Sequence, residues 1–245
     1  MRQVTELISF QLRGRFAHFL RAEAGASALS YPIPPRTVIL GLIGAVLGLQ
    51  KDSPQVVLEP FQVALAGKVP QGFWHKAKLR KDPPELLPQV VKRSQSEEKT
   101  TKPERATLIA QEWLLNPSYT LWVSLPEPYH EELERRVRER QWYYQPSLGL
   151  SEMMADLQYL GSETAKPLPS GCYEVSSVIR QGHGEIQVPK VLERNLALHL
   201  LRMPRSVTPE RVFTHEGYIL ERDGSPIPVL TSEGYEVAGK VILFL

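Results

Sequence analysis

Four of the five arginines in the first forty residues are the first side chains whose type and spacing suggest chemistry. Arg13, Arg15 and Arg21 lie on and after a short alternating segment, and Arg36 stands with Thr37 directly after a pair of prolines. A guanidinium group donates two parallel N–H bonds that match two oxygens of a phosphate. The free N–H groups of a helix start also attract anions. The sequence therefore predicts a phosphate-binding cradle here, and the alternative is a set of surface arginines paired with nearby carboxylates.

A second candidate is a basic segment, residues 68–105. It holds ten Lys and Arg against five Asp and Glu, so it carries about +5, whereas the whole chain is +2 and the remainder is about −3. Basic residues mixed with aromatic ones neutralise phosphates and stack on bases. The candidate contacts are Trp74, Lys76, Lys78, Arg80, Lys92 and Arg93. The alternative is a solvated lysine-rich loop, and we favour binding because an exposed indole suggests a partner.

Two further side chains lie close to the arginines. His18 stands between Phe16 and Phe19, and Tyr31 precedes the prolines. Either side chain can contact a nucleic acid, Tyr31 by stacking on a base. Packing is the favoured alternative for His18, and for Tyr31 covering the helix start is an equal alternative.

Composition excludes several other kinds of site. The single cysteine, Cys172, rules out an internal disulfide framework and fits a reducing compartment. Without CxxC or HxxH spacing we expect no metal site, and no motif indicates a cofactor. The uncharged run Val38–Leu49 has 12 residues, whereas a membrane-spanning helix needs about 20. The first residues lack the layout of a signal peptide, so we expect a cytoplasmic protein without a membrane contact.

The glycine-bearing stretch "SYPIPPRTVILGLIGAVLGL" predicts a buried helix. Pro34 and Pro35 suit only a helix start, so the helix should begin near Pro35 and end at Gly48–Leu49. Glycines at 41, 44 and 48 share one helical face. Since glycine inside a helix costs about 1 kcal/mol against alanine, this face predicts close approach to another backbone, here expected to be a sheet. Side chains expected to fill that contact are Val38, Leu42, Ala45 and Leu49.

Hydrophobic periodicity orders the remaining elements. "ELISFQLRGRF", "VVLEPFQVALAG" and "SYTLWVSLP" alternate as strands do, and "EPYHEELERRVRER" reads as an amphipathic helix. "QPSLGLSEMMADLQYLG" predicts a loop and a short helix from Ser151. The order predicts an α+β fold: a ferredoxin-like, RRM-like domain over residues 1–165. A long basic β-hairpin insertion is expected at about 67–106, and residues 166–245 form a smaller β-rich C-terminal region.

The N-terminal motifs carry a family resemblance. "FQLRGRFAHFLR" followed by "SYPIPPRTVILGLIGAVLGL" resembles the fifth CRISPR-associated (Cas) protein family, a RAMP-type subunit of type I Cascade. "PSLGLSEMMADL" is similar to a second recurrent block of that family, and the basic insertion stands where the family carries its β-hairpin thumb. The resemblance covers the N-terminal half, and the C-terminal half only through its β-rich character.

The resemblance implies a function. Members of the family cap the 5′ handle of the crRNA and reach over it with the thumb. They also contact the large and backbone subunits of Cascade, so their contact with target DNA is indirect. It implies an RNA-binding structural subunit for RNA-guided DNA targeting, without catalysis. The implied RNA ligands are Arg13, Arg15, His18, Arg21, Tyr31, Arg36, Thr37, Trp74, Lys76, Lys78, Arg80, Lys92 and Arg93.

Two other functions remain open. One branch of the family, in type I-C systems, cleaves pre-crRNA with a tyrosine, a lysine and a histidine and needs no metal. Tyr31, His75 and Lys76 supply those residue types here, which makes a metal-independent endoribonuclease the alternative. A generic RNA-binding protein is the third possibility.

Overall fold

The architecture is that of a computed structural model, which describes residues 3–21, 27–80 and 106–245. Over these residues the protein is mixed α+β, with many strands and four helices. The helices are α1 (Arg36–Leu47), α2 (Pro54–Val57), α3 (Tyr129–Glu139) and α4 (Val188–Glu193). None of the helices in the described portion is long and apolar enough to cross a membrane.

The strands of the first half form the central part of the main sheet and a hairpin. In chain order they are β1 (Thr5–Arg13), β2 (Phe16–Ala17), β3 (Phe19–Leu20), β4 (Ser27–Ala28), β5 (Ser30–Tyr31), β6 (Gln62–Gly67), β7 (Gln71–Arg80), β8 (Ala106–Leu115) and β9 (Ser118–Ser124). The second half adds β10 (Asp156–Pro167), β11 (Gly171–Val175), β12 (Ile179–Arg180), β13 (Glu185–Ile186), β14 (Leu198–Val207), β15 (Phe213–Glu221), β16 (Ile227–Thr231), β17 (Tyr235–Val237) and β18 (Lys240–Ile242).

Four antiparallel strands carry the main core, in the order β10-β1-β9-β6. The alternation of β1 is confirmed, since Ile8, Phe10 and Leu12 are fully buried in the same core as α1 and α3. Leu7 is buried as well, on the opposite face, in a second cluster with Trp122 and with Tyr235, Val237 and Ile242 of the C-terminal strands. The sheet is therefore covered on both faces at this end.

Helix α1 begins and ends close to the predicted residues. Pro35 is its N-cap, and Gly48 closes it in the left-handed conformation at φ 78°, with the N–H groups of Gly48 and Leu49 bonded to the last carbonyls. Glycine suits this position because other residues are strained there.

The prediction that the glycine face packs on a sheet is wrong. The residues facing the sheet are the branched ones, Ile39, Ile43 and Val46. A Cβ at Gly41 would meet nothing within 4 Å, and one at Gly44 would lie 2.4 Å from Cγ of Pro54 on α2. The glycines thus face α2, the loop after α3 and open space, because the larger apolar side chains occupy the sheet side.

Strands β7 and β8 form a long antiparallel hairpin beside this core. They pair over ten residues, from Gln71 opposite Leu115 to Arg80 opposite Ala106. The other edge of β8 receives β2 and β4. Lys92 and Arg93 lie outside the described residues.

The C-terminal strands extend the same sheet. β10 pairs with β17, and the order continues through β18, β11 and β16 to β13, so nine strands form one sheet. A three-stranded sheet, β12-β15-β14, packs beside it. No helix starts at Ser151: the residue lies in a turn, and β10 follows from Asp156 because its pairing with β1 over the whole length of β1 overrides the local pattern.

Candidate nucleic-acid interface

One face of the β7–β8 hairpin is open to solvent. Trp74 is 57% exposed, and Lys76 and Lys78 follow it on the same face, because side chains alternate along a strand. Their cross-strand neighbours on β8 are Glu112, Ala110 and Leu108. The face therefore presents an indole, two ammonium groups and one exposed leucine in a row, a combination that can stack on a base and neutralise phosphates.

The opposite face of the hairpin carries an aromatic cluster that joins it to β2. The ring centroids of Phe16 and Trp113 are 5.5 Å apart, those of Phe16 and Phe73 5.8 Å, and those of His75 and Trp113 4.1 Å. Such tilted and edge-to-face pairs stabilise the packing beyond the buried area alone. The cluster holds the hairpin base and fixes the orientation of its open face.

Glu112 on β8 also links the hairpin to the segment that contains His18 and Ser30. Its carboxylate accepts the N–H of Ser30 at 3.0 Å, and its backbone carbonyl is 2.8 Å from Nδ1 of His18. His18 is only 3% exposed. The assignment of His18 to RNA binding is therefore corrected: the imidazole is a buried polar group that secures β8.

Tyr31 is likewise corrected. It is 3% exposed, within the main core, and the guanidinium of Arg21 lies over its ring at 5.3 Å. Arg21 also donates from Nε to the carbonyl of Ser30 at 3.0 Å. Tyr31 cannot stack on a base from this position, and Arg21 presents only part of its guanidinium to solvent.

Arg36 does not belong to a phosphate cradle. The side chain is 5% exposed, and its Nη2 donates to both carboxylate oxygens of Glu59, at 2.7 and 3.0 Å, and to the carbonyl of Phe61 at 2.8 Å. The guanidinium also lies over the Phe61 ring, 4.9 Å from its centroid. Because Nη2 already has its acceptors, Arg36 ties α1 to the segment before β6, although its Nε is buried without a partner among the described residues. The neighbouring Thr37 is only half-buried.

The two remaining arginines lie at the end of β1 and just after it. Arg13 is exposed and pairs with Asp156 through Nε at 2.8 Å. The hydrogen bond from Arg13, together with the charge of Arg140, holds the pKa of Asp156 below its ordinary value. Arg15 is exposed, lies over the Phe16 ring and makes no ion pair with any described residue. The backbone of Arg80 ends β7, and its side chain lies outside the described part.

The structure thus brings together a different set from the predicted one. Arg15 joins the hairpin through Phe16, whereas Arg36 and Tyr31 are buried elsewhere in the core. The residues that sequence reasoning missed are Phe16, Trp113 and Glu112, which hold the hairpin in place. One available signal was the period of two in "GFWHKAKLR", where Phe73, His75 and Ala77 alternate with Trp74, Lys76 and Lys78. Among the described residues no three His, Cys, Asp or Glu side chains are grouped to hold a metal ion.

Comparison with known proteins adds the family. The model of the family described as CRISPR-associated protein (Cas_Cas5) matches residues 7–203. A solved "CRISPR RNA-guided surveillance complex" contains a chain similar in fold, at TM-score 0.53 and 14% identity, with 91% of each chain covered. A CRISPR protein from Archaeoglobus fulgidus is similar at TM-score 0.51 and 13% identity, with 98% of each chain covered. None of the curated proteins matches this chain by sequence. Because the family model spans most of the sequence, the chain belongs to the CRISPR-associated protein (Cas_Cas5) family.

Proposed function

We propose that this chain is a non-catalytic, crRNA-associated subunit of a type I Cascade complex, acting in the cytoplasm. It grips the 5′ handle of the crRNA and contacts the large and backbone subunits, so that target DNA is met indirectly. The observation that carries the proposal is the open face of the β7–β8 hairpin, with Trp74, Lys76 and Lys78 of the basic segment 68–105, in a chain of this family.

The topology supports the fold that this function needs. The chain runs β1-α1-β6-β9-α3-β10, and the sheet order is β10-β1-β9-β6. Numbered along that unit, the order is 4-1-3-2 with both helices on one face, an order that supports the proposed ferredoxin-like arrangement. In this interpretation the β7–β8 hairpin, inserted between the second and third strands of the unit, is the thumb.

The chemistry of the hairpin favours single-stranded RNA. Stacking on an indole tolerates any base, and lysines follow a backbone without reading its sequence. The exposed Arg15 lies over the ring of Phe16, on the side of the hairpin that carries the aromatic cluster, and adds a cation at the hairpin base. Lys76, Lys78, Trp74 and Arg15 are therefore the ligands we retain among described side chains.

RNA binding by matched variants tests this assignment. The probe is a synthetic RNA with the 5′ handle of the repeat from the same locus, measured by fluorescence anisotropy at several salt concentrations. We expect the Lys76→Glu/Lys78→Glu variant to lower the slope of log K against log salt by about 1.4, since each lost contact removes about 0.7 on single strands. A Lys166→Glu/Lys190→Glu variant changes the charge equally at exposed positions away from the hairpin and should bind as the wild type does.

Replacing Trp74 tests whether its indole stacks on a base of the RNA. Trp74→Ala should weaken binding by about 5- to 150-fold, the equivalent of roughly 1–3 kcal/mol for one stacked base. The melting temperature should not change, because the indole is mostly exposed. Equal affinity for the handle RNA and for a scrambled handle would favour a generic RNA-binding protein instead.

The alternative, an endoribonuclease, is tested directly. The burial of Tyr31 counts against a trio with His75 and Lys76, because a catalytic group must reach the 2′-hydroxyl within hydrogen-bond distance. Purified protein incubated with repeat RNA in EDTA should leave the RNA intact. Cleavage at one site that is lost in His75→Ala would replace the structural role with a catalytic one.

A further inference from the structure

An open groove crosses the exposed face of helix α1, and no residue of the β7–β8 hairpin lines it. It measures about 510 Å³ and is lined in part by Gly41, Ala45, Lys51, Gln55, Tyr144 and Arg211. Gly41 has no side chain to fill the floor of the groove, and a Cβ added there would meet no atom within 4 Å. We call this feature the α1 groove.

The segments that form the walls of the α1 groove expose large apolar side chains. Tyr144 lines the groove and is more than half exposed, and so are Val56, Tyr143 and Val212, which are chain neighbours of the lining residues Gln55, Tyr144 and Arg211. Exposed apolar groups that cluster around a concave surface, with polar groups at the rim, are typical of a protein–protein contact. Isolated exposed leucines or valines would carry no such meaning.

The charges at the rim indicate what kind of partner fits. Asp52 and Arg211 form an ion pair at 2.8 Å, which neutralises that side of the groove. Lys51 is exposed and pairs with no carboxylate in the described part of the chain. One unpaired cation is too few for a nucleic-acid backbone, whose binding scales with the number of neutralised phosphates. A single cation beside an apolar groove instead matches one carboxylate beside an apolar side chain.

We propose that the α1 groove receives a bulky apolar side chain, flanked by a carboxylate that pairs with Lys51, from a segment of another protein subunit of the complex. The side-chain oxygen of Gln55 in the groove wall is buried and accepts no hydrogen bond from any described residue. Rotation of the Gln55 side chain towards the groove would let a donor on the inserted segment satisfy it. This inference rests on the proposed function, because it needs a multi-subunit assembly.

Three variants separate groove blockage from other effects. Gly41→Trp places an indole at a groove position where an added Cβ meets no atom within 4 Å, so the chain should fold, bind handle RNA as the wild type does, and assemble at least tenfold less well with its protein partners. Gly41→Ala leaves most of the groove open and should assemble normally. Val188→Trp adds the same indole at an exposed apolar position on α4, which does not line the groove, and should also assemble normally. Assembly is measured by size-exclusion chromatography with the separately purified large and backbone subunits of the same locus and crRNA.

Photo-crosslinking identifies the occupant. With p-benzoylphenylalanine at Gln55, the assembled wild-type complex should yield a crosslink to a peptide of another subunit that contains an apolar residue and a nearby Asp or Glu. A crosslink to RNA, to a second copy of this chain, or to no molecule overturns the inference, as does normal assembly of Gly41→Trp. If the wild type neither binds handle RNA nor assembles, it is the proposed function that fails. If it does both and the groove variants behave as wild type, only this inference fails.

Discussion

Substitution of Arg36 distinguishes a structural role from a ligand-binding role more clearly than any other proposed variant. Replacing it with methionine keeps most of the aliphatic volume but removes a guanidinium that is 5% exposed. That group donates to the Phe61 carbonyl at 2.8 Å, pairs with Glu59 at 2.7 Å and lies 4.9 Å from the centroid of the Phe61 ring.

The expected loss of stability follows from these contacts. The buried Phe61 carbonyl loses a donor, which costs about 1–3 kcal/mol. The Glu59 carboxylate is 42% exposed, so water solvates it and the loss of its pair costs at most about 1 kcal/mol. The cation–π contact adds about 1 kcal/mol. We expect Arg36→Met to lower the free energy of unfolding by about 3 kcal/mol and the melting temperature by about 6–12 °C, at 2–4 °C per kcal/mol for a chain of this size.

The assay pairs thermal unfolding with RNA binding below the melting transition of the variant. The folded variant should bind the handle RNA with unchanged affinity and an unchanged salt slope. A melting temperature equal to that of the wild type, together with a salt slope smaller by about 0.7, would refute this reasoning and restore Arg36 as a phosphate ligand.

Three further variants test the packing of the two longest helices. Gly41→Ala should raise the melting temperature by about 2–4 °C, since alanine is about 1 kcal/mol better in a helix and its Cβ meets no atom within 4 Å. Gly48→Ala should instead destabilise the protein by about 2 kcal/mol in urea unfolding, because φ is 78° and the new Cβ would lie 2.4 Å from Cγ of Tyr143. Glu132 has its pKa lowered to about 2 by hydrogen bonds from Arg135 and Arg136. Because the pKa of Glu132 is lower in the folded protein than in the unfolded chain, its carboxylate stabilises the folded state above the unfolded pKa of 4.5. This stabilisation is lost as the pH falls towards 2. Glu132→Gln should therefore reduce the acid-induced loss of stability between pH 4.5 and 2, by about 0.5 kcal/mol at this exposed pair, in melting curves recorded against pH.

The local elements of this protein followed from the sequence. Pro35 lacks the N–H that a helix interior needs and Gly48 adopts a positive φ at low cost, so the two ends of α1 were predictable within a residue or two. The alternation of Ile8, Phe10 and Leu12 placed β1 and its buried face. Both patterns depend only on neighbours along the chain. The N-terminal motifs carried the family for the same reason, since each is a short continuous run.

What the side chains face was decided by tertiary structure. The partner of Arg36 is Glu59, 23 residues away, and His18 meets Glu112, 94 residues away, so no local pattern could show that these groups are occupied. Glycines at 41, 44 and 48 share a face by spacing, but the side chains that reach the sheet were set by how α1 docks. Candidate ligands on β7 and at the end of β1 stay exposed and those in the core do not, because burial is a property of the assembled sheet rather than of residue type.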